Sequence, residues 1–169
     1  MNIFALPGIN QKTERWAANL LNELAAPDRS MTVQHYRHWD SDDAQCLSLH
    51  DEVDRLKGCD IDLLIAKSLG VMIGLQACDQ GLITPQRAVF IGTPVTGFRE
   101  QNLDLRQLVG HLDIPCLFIQ QTNDIVGSSA SLRQEISALP MKEILEIPGD
   151  NHQYKDLKLL ARHIKKFIS

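Results

Sequence analysis

Between Asp62 and Cys78 the chain runs through four successive apolar residues, Leu63-Leu64-Ile65-Ala66, then Lys67-Ser68, then a nearly all-apolar stretch from Leu69 onward. A strand that is apolar at every position, rather than at every second one, has no face to offer to water. A helix that is apolar around its whole circumference has none either. The two together must lie inside a layered structure, with other elements covering both sides of the strand.

The rest of the chain supplies those elements. Strand-type apolar runs recur at residues 2–6, 31–36, 87–91, 114–119 and 143–147. Trp16, Ala17, Leu20, Leu21 and Leu24 fall at helical spacing and predict a helix over about 12–26. Ser41 is a candidate N-cap for a helix to about Lys57, and Gly58 stops it. Further helices are predicted over 69–78, 128–139 and from Tyr154 to Phe167, with a short one from Leu103 to Leu112. Gly92-Thr-Pro-Val-Thr-Gly97 is expected to close the fourth strand as a loop. Strands thus alternate with helices from end to end, and right-handed crossovers make a parallel, doubly wound sheet the economical arrangement. With no repeat, low-complexity tract or linker, residues 1–169 are expected to form one α/β domain.

Composition narrows the function classes. A net charge of −4 and the lack of a basic stripe argue against nucleic acid as a partner. No apolar run approaches the length that crosses a bilayer, so no membrane association is expected. Met1 to Leu6 is too short, and lacks the basic start, for a secretion signal. Cys46, Cys59, Cys78 and Cys116 have no C-x-x-C spacing, which fits reduced thiols and a cytoplasmic location without disulfides.

In a doubly wound sheet the functional loops leave the carboxyl ends of the strands. Ser68 follows the third strand, flanked two residues away on either side by Ala66 and Gly70. A strand, a single serine between small residues and a buried helix make a nucleophile elbow, whose sharp turn lifts the hydroxyl clear of the sheet. Asp124 follows the fifth strand and His152 the sixth. Serine, acid and histidine therefore come in that order, each at a strand end.

The segment Ile114-Pro-Cys-Leu-Phe-Ile-Gln-Gln-Thr-Asn-Asp124-Ile-Val resembles the acid-bearing strand and loop of the α/β-hydrolase superfamily. Ile147-Pro-Gly-Asp-Asn-His152 resembles its histidine loop, and Phe90-Ile-Gly-Thr-Pro94 the strand after its elbow helix. The likeness spans most of the chain and is to a small, capless serine hydrolase lacking the superfamily's first two strands. Two positions differ from the usual pattern: Ala66 replaces the first elbow glycine, and Gln121 stands where glycine is common before the acid. The resemblance implies a three-layer α/β/α core with six parallel strands in the order 2-1-3-4-5-6. It also implies hydrolysis of an ester, thioester or related acyl bond in a small-molecule substrate.

The roles then follow from the chemistry. Ser68 would attack the acyl carbon, His152 would take its proton, and Asp124 would hold the imidazole tautomer. The oxyanion would lie between the backbone N–H of Leu69, at the start of the elbow helix, and that of Ile9, in the loop after the first strand. No cofactor is expected, and no metal: His35, His38 and Asp40 are close in sequence, but their spacing does not enforce a convergent site. Gly8 is followed by no phosphate-loop pattern. Trp39 is expected to pack over the sheet end or line the cleft rim. Lys67 reads as a solvated charge beside the nucleophile, with attraction of an anionic substrate as the alternative. Two other readings compete with the hydrolase: a flavodoxin-like module, which strand alternation alone would allow, and a non-catalytic hydrolase-like binding protein with a decayed site. The oligomeric state is not legible.

Overall fold

The computed structural model describes residues 1–41 and 47–169. Its elements in chain order are β1 (Asn2–Leu6), α1 (Lys12–Glu23), β2 (Ser30–Val33), a 3-10 turn (Arg37–Asp40), α2 (Leu49–Asp54), β3 (Leu63–Lys67), α3 (Leu69–Asp79) and β4 (Arg87–Ile91). After these come α4 (Val95–Glu100), α5 (Leu105–Gly110), β5 (Cys116–Gln121), α6 (Ser129–Ile136), β6 (Lys142–Ile147) and α7 (Leu157–Ile168). The six strands form one sheet in the order β2-β1-β3-β4-β5-β6, and every pairing is parallel.

Alternation along the strands explains why the central ones are apolar throughout. Leu64 and Ala66, Ala88 and Phe90, and Cys116 and Phe118 point into a core covered by α2, α3 and α5. Leu63 and Ile65, Val89 and Ile91, and Leu117 and Ile119 point the other way, into a core covered by α1 and α7. β3 and β5 are buried at every residue, whereas the edge strands β2 and β6 keep exposed positions. Among the described residues no helix is long and apolar enough to cross a membrane.

Several boundaries differ from the sequence expectation. β2 ends at Val33, and Tyr36, placed in that strand by its apolar character, turns inward to give its hydroxyl hydrogen to the Pro7 carbonyl at 2.8 Å. Ser41, the expected N-cap, ends the 3-10 turn. It is extended, and α2 begins at Leu49 under Ser48, whose side chain accepts from the Asp51 N–H. The part of that expected helix at residues 42–46, Cys46 included, lies outside the described residues. The stretch after β4 read as a loop contains α4. α7 starts at Leu157 behind the cap Asp156, so Tyr154 precedes it.

Candidate active site

The turn from β3 into α3 is made by Ser68, whose backbone sits at φ 52 and ψ −114. A non-glycine residue there is strained by roughly 1–3 kcal/mol and persists only where its surroundings over-determine it. Ser68 N–H donates to the Ile91 carbonyl at 3.1 Å, and Val71 N–H closes on the Ser68 carbonyl at 2.9 Å. Two residues on, Gly70 lies against the end of β1: a Cβ there would stand 2.2 Å from the Leu6 carbonyl oxygen. Ala66, the departure from the usual pattern, is accommodated by α3 itself. The helix presents Gly74 opposite it, and even a Cβ on Gly74 would lie 3.9 Å from the Ala66 methyl.

The structure brings Ser68, His152 and Asp124 together. The Ser68 hydroxyl lies 2.8 Å from His152 Nε2. His152 Nδ1 lies 2.9 and 2.8 Å from the two oxygens of Asp124. A carboxylate accepts only, so Nδ1 carries the proton and Nε2 is left to accept from the serine. Asp124 is buried, and it also accepts from the Tyr154 hydroxyl at 2.7 Å and the Val126 N–H at 3.0 Å. Burial alone would raise its pKa. The hydrogen bonds from His152, Tyr154 and Val126 outweigh that and hold the carboxyl below its ordinary value.

Sequence reasoning gave no role to four residues that support this cluster, Tyr154, Gln121, Gly149 and Gly92. Tyr154, taken for the first apolar residue of the last helix, adopts φ 53. Its hydroxyl accepts the Gln121 N–H at 2.9 Å while donating to Asp124. Burial, above all, pushes its pKa well up, so the phenol stays a donor. Gln121, in place of the common glycine, accepts the N–H groups of Asn151 and His152 at 3.1 and 3.0 Å and so shapes the histidine loop. Gly149 at φ 152 makes room for that side chain, since a Cβ there would approach Gln121 Cδ to 2.5 Å. Gly92, at φ 61 after β4, leaves space for the rings of His152 and Tyr154 in the same way. The positive φ of a tyrosine leaves no trace in spacing; the glycines at strand ends were the one signal available.

Leu69 N–H stands at the first turn of α3, where no carbonyl within the helix can take it. The Pro7-Gly8-Ile9 loop passes beside the serine: a Cβ on Gly8 would lie 3.4 Å from Ser68 Cβ. Pro7 is held by Gly70 N–H at 3.0 Å and by Tyr36. The Ile9 carbonyl accepts from Trp39 Nε1 at 2.9 Å and His38 Nε2 at 3.0 Å. Trp39 thus fastens the loop as well as packing, partly buried, against the core on the α2–α3 side.

His35 is spanned by two carboxylates, Nδ1 at 2.8 Å from Glu14 and Nε2 at 2.9 Å from Asp40. The Glu14 and Asp40 bonds raise its pKa. Both nitrogens are occupied by protein, and among the described residues no group of three or more His, Cys, Asp or Glu side chains is arranged to hold a metal ion. Lys67 corrects an expectation. It is buried, not solvated, with Nζ donating to the His152 carbonyl at 3.1 Å.

Ser68 and His152 open onto a pocket of about 420 Å³, walled by Ile9, Trp16, Lys67 and Ile125 among others. Nothing from α4 or α5 lines it.

No protein-family model matches the sequence, and no curated protein matches it. Solved structures do match. The carboxylesterase CesB from Bacillus subtilis superposes with a TM-score of 0.72 at 10% identity, over 99% of this chain and 82% of its own. The ydeN gene product of B. subtilis gives a TM-score of 0.72 at 12% identity, over 99% and 98%. Alpha/beta hydrolase domain-containing protein 10 from mouse gives 0.68 at 14% identity, over 99% and 89%. The chain shares the fold of these hydrolases, with the strand order β2-β1-β3-β4-β5-β6.

Proposed function

We propose that the protein is a serine hydrolase that cleaves an ester, thioester or related acyl bond in a small-molecule substrate. The observation that carries this is the unbroken hydrogen-bonded series Ser68–His152–Asp124, built on a serine held at a strained φ. A free hydroxyl is a poor nucleophile. As Ser68 Oγ bonds to the acyl carbon, its proton passes to His152 Nε2, and the carbonyl π electrons move onto oxygen. Asp124 stabilises the imidazolium so formed. Collapse of the tetrahedral species expels the alkoxide or thiolate, which takes the proton from His152. Water then attacks the acyl-enzyme by the same steps in reverse and returns the proton to Ser68.

The oxyanion is assigned to the N–H groups of Leu69 and Ile9. Support comes from the position of Leu69 at the positive end of α3, and from the clamp of Trp39 and His38 on the Ile9 carbonyl one peptide further on. The chemistry asks for no metal or organic cofactor. A cytoplasmic, reducing setting belongs to the same reading: Cys59, Cys78 and Cys116 are free thiols, and burial pushes Cys78 and Cys116 up to about 12 and about 11.

A fluorophosphonate probe tests the proposal. Wild type is expected to be labelled and Ser68→Ala is not. A folded wild type that takes no label across neutral and mildly alkaline pH overturns the hydrolase and leaves a non-catalytic protein on a hydrolase scaffold.

A further inference from the structure

The pocket beside Ser68 contains a cation that the acyl-transfer steps do not use. Lys67 ends β3, and strand alternation sends its side chain to the side of α1 and α7, where it is 4% exposed. Among the described residues its Nζ has one acceptor, the His152 carbonyl, and it lies 5.6 and 5.7 Å from the ring centres of Trp16 and Tyr154. The carboxylate that acts on it, Asp124, is already engaged by His152, Tyr154 and the Val126 N–H. An ammonium has three donors, so Lys67 keeps donors for another partner. A buried charge without an ion pair is costly, and an anion in the pocket is what relieves it.

The rest of the lining points the same way. Lys12 and Lys155 stand exposed at the pocket's rim, and among the described residues no acidic side chain lines it. Trp16, Ile9 and Ile125 give the space an apolar wall, with Ile9 56% and Ile125 74% exposed. We propose that the substrates are esters bearing a carboxylate on a short apolar arm, with Lys67 as the residue that binds the carboxylate, an inference that rests on the acyl-hydrolase function proposed for the same site. Lys12 and Lys155 steer such substrates toward the opening.

Two matched pairs of esters test it. Mono-4-nitrophenyl adipate against its methyl ester puts the charge on the acyl side. 3-Acetoxybenzoate against methyl 3-acetoxybenzoate puts it on the leaving group. In at least one pair, kcat/KM of wild type for the acid is expected to exceed that for the neutral ester by about tenfold or more, the scale of one charge-assisted contact. In Lys67→Met that ratio is expected to fall toward one. Because both esters are measured in each variant, any effect of Lys67 on His152 through the carbonyl bond cancels. Should Lys67→Met fail to fold, wild type still decides: the ratio is expected to decline as ionic strength rises from about 0.01 M to about 1 M. A wild-type ratio of one or less in both pairs, or a ratio in Lys67→Met equal to that of wild type, overturns the carboxylate site and leaves the hydrolase standing. Turnover of none of the four esters, together with no fluorophosphonate label on Ser68, overturns the hydrolase itself and the carboxylate site with it.

Discussion

Lys67 shows what a single residue at this site does to the stability of the chain. Burial pulls its pKa from 10.5 down to about 8, although Asp124 pulls the other way. Among the described residues, His152 and Tyr154 from the last loop, Lys12 from α1 and Lys155 at the rim are the other titratable groups that face it or share its pocket. Below about pH 8 the folded chain carries a charge it would rather shed, at a cost of about 3 kcal/mol relative to the unfolded chain. Between about 8 and 10.5 the folded state has released the proton while the unfolded state keeps it, so this residue's contribution to stability rises with pH across that window. Lys67→Met is therefore expected to be more stable than wild type at neutral pH and to lack that rise. Urea titrations at successive pH values check it; a variant that loses stability at pH 7 contradicts it. The sequence showed the lysine beside the serine, but its burial depends on Trp16 and Tyr154 closing over it from opposite ends of the chain. The same separation hid Gln121 and Tyr154, whose roles exist only once β5 and the histidine loop meet.

Among the elements, the β3–α3 elbow was the most legible, because small residues, an apolar strand and an apolar helix announce a close approach whatever the rest of the chain does. Its two small positions nevertheless differ physically. Gly70 faces the backbone of Leu6, which cannot move without disturbing β1, whereas Ala66 faces Gly74 and has room. Gly70→Ala is expected to cost more than about 3 kcal/mol, and Ala66→Gly only about 1 kcal/mol, with the labelling of Ser68 retained in the second. Thermal melts and probe labelling of the two variants check this. Strands β3, β4 and β5 were readable for a similar reason, being apolar on both faces. The edges of elements were not. Ser48, not singled out in the sequence, is the residue that caps α2, its side chain accepting from the Asp51 N–H. α4 was hidden because Pro94 and Gly97 are turn residues locally, yet Pro94 serves as its N-cap.

At the scale of the molecule the sheet separates two cores, and each has its own tryptophan: Trp16 packs on the α1–α7 side and Trp39 on the other. If residues 1–169 are one domain, both cores melt together. Trp16→Phe and Trp39→Phe leave a single fluorophore on one side each, and their urea transitions are expected to coincide with each other and with the far-ultraviolet circular dichroism, after correction for any change in stability. Two separated transitions within one variant contradict a single domain. That the strands are parallel was legible from alternation, and with it the fact that Ser68, Asp124 and His152 share one end of the sheet; the order 2-1-3-4-5-6 came with the resemblance.

Among the described residues five non-glycine residues have positive φ, and three of them, Ser68, His152 and Tyr154, belong to one hydrogen-bonded cluster. Glycine at any of the three would relax the backbone, and methionine at Lys67 would lift a desolvation cost. Ser68, His152 and Lys67 are therefore held at a cost to the fold, which Tyr154 helps to offset through its buried hydrogen bonds to Gln121 and Asp124.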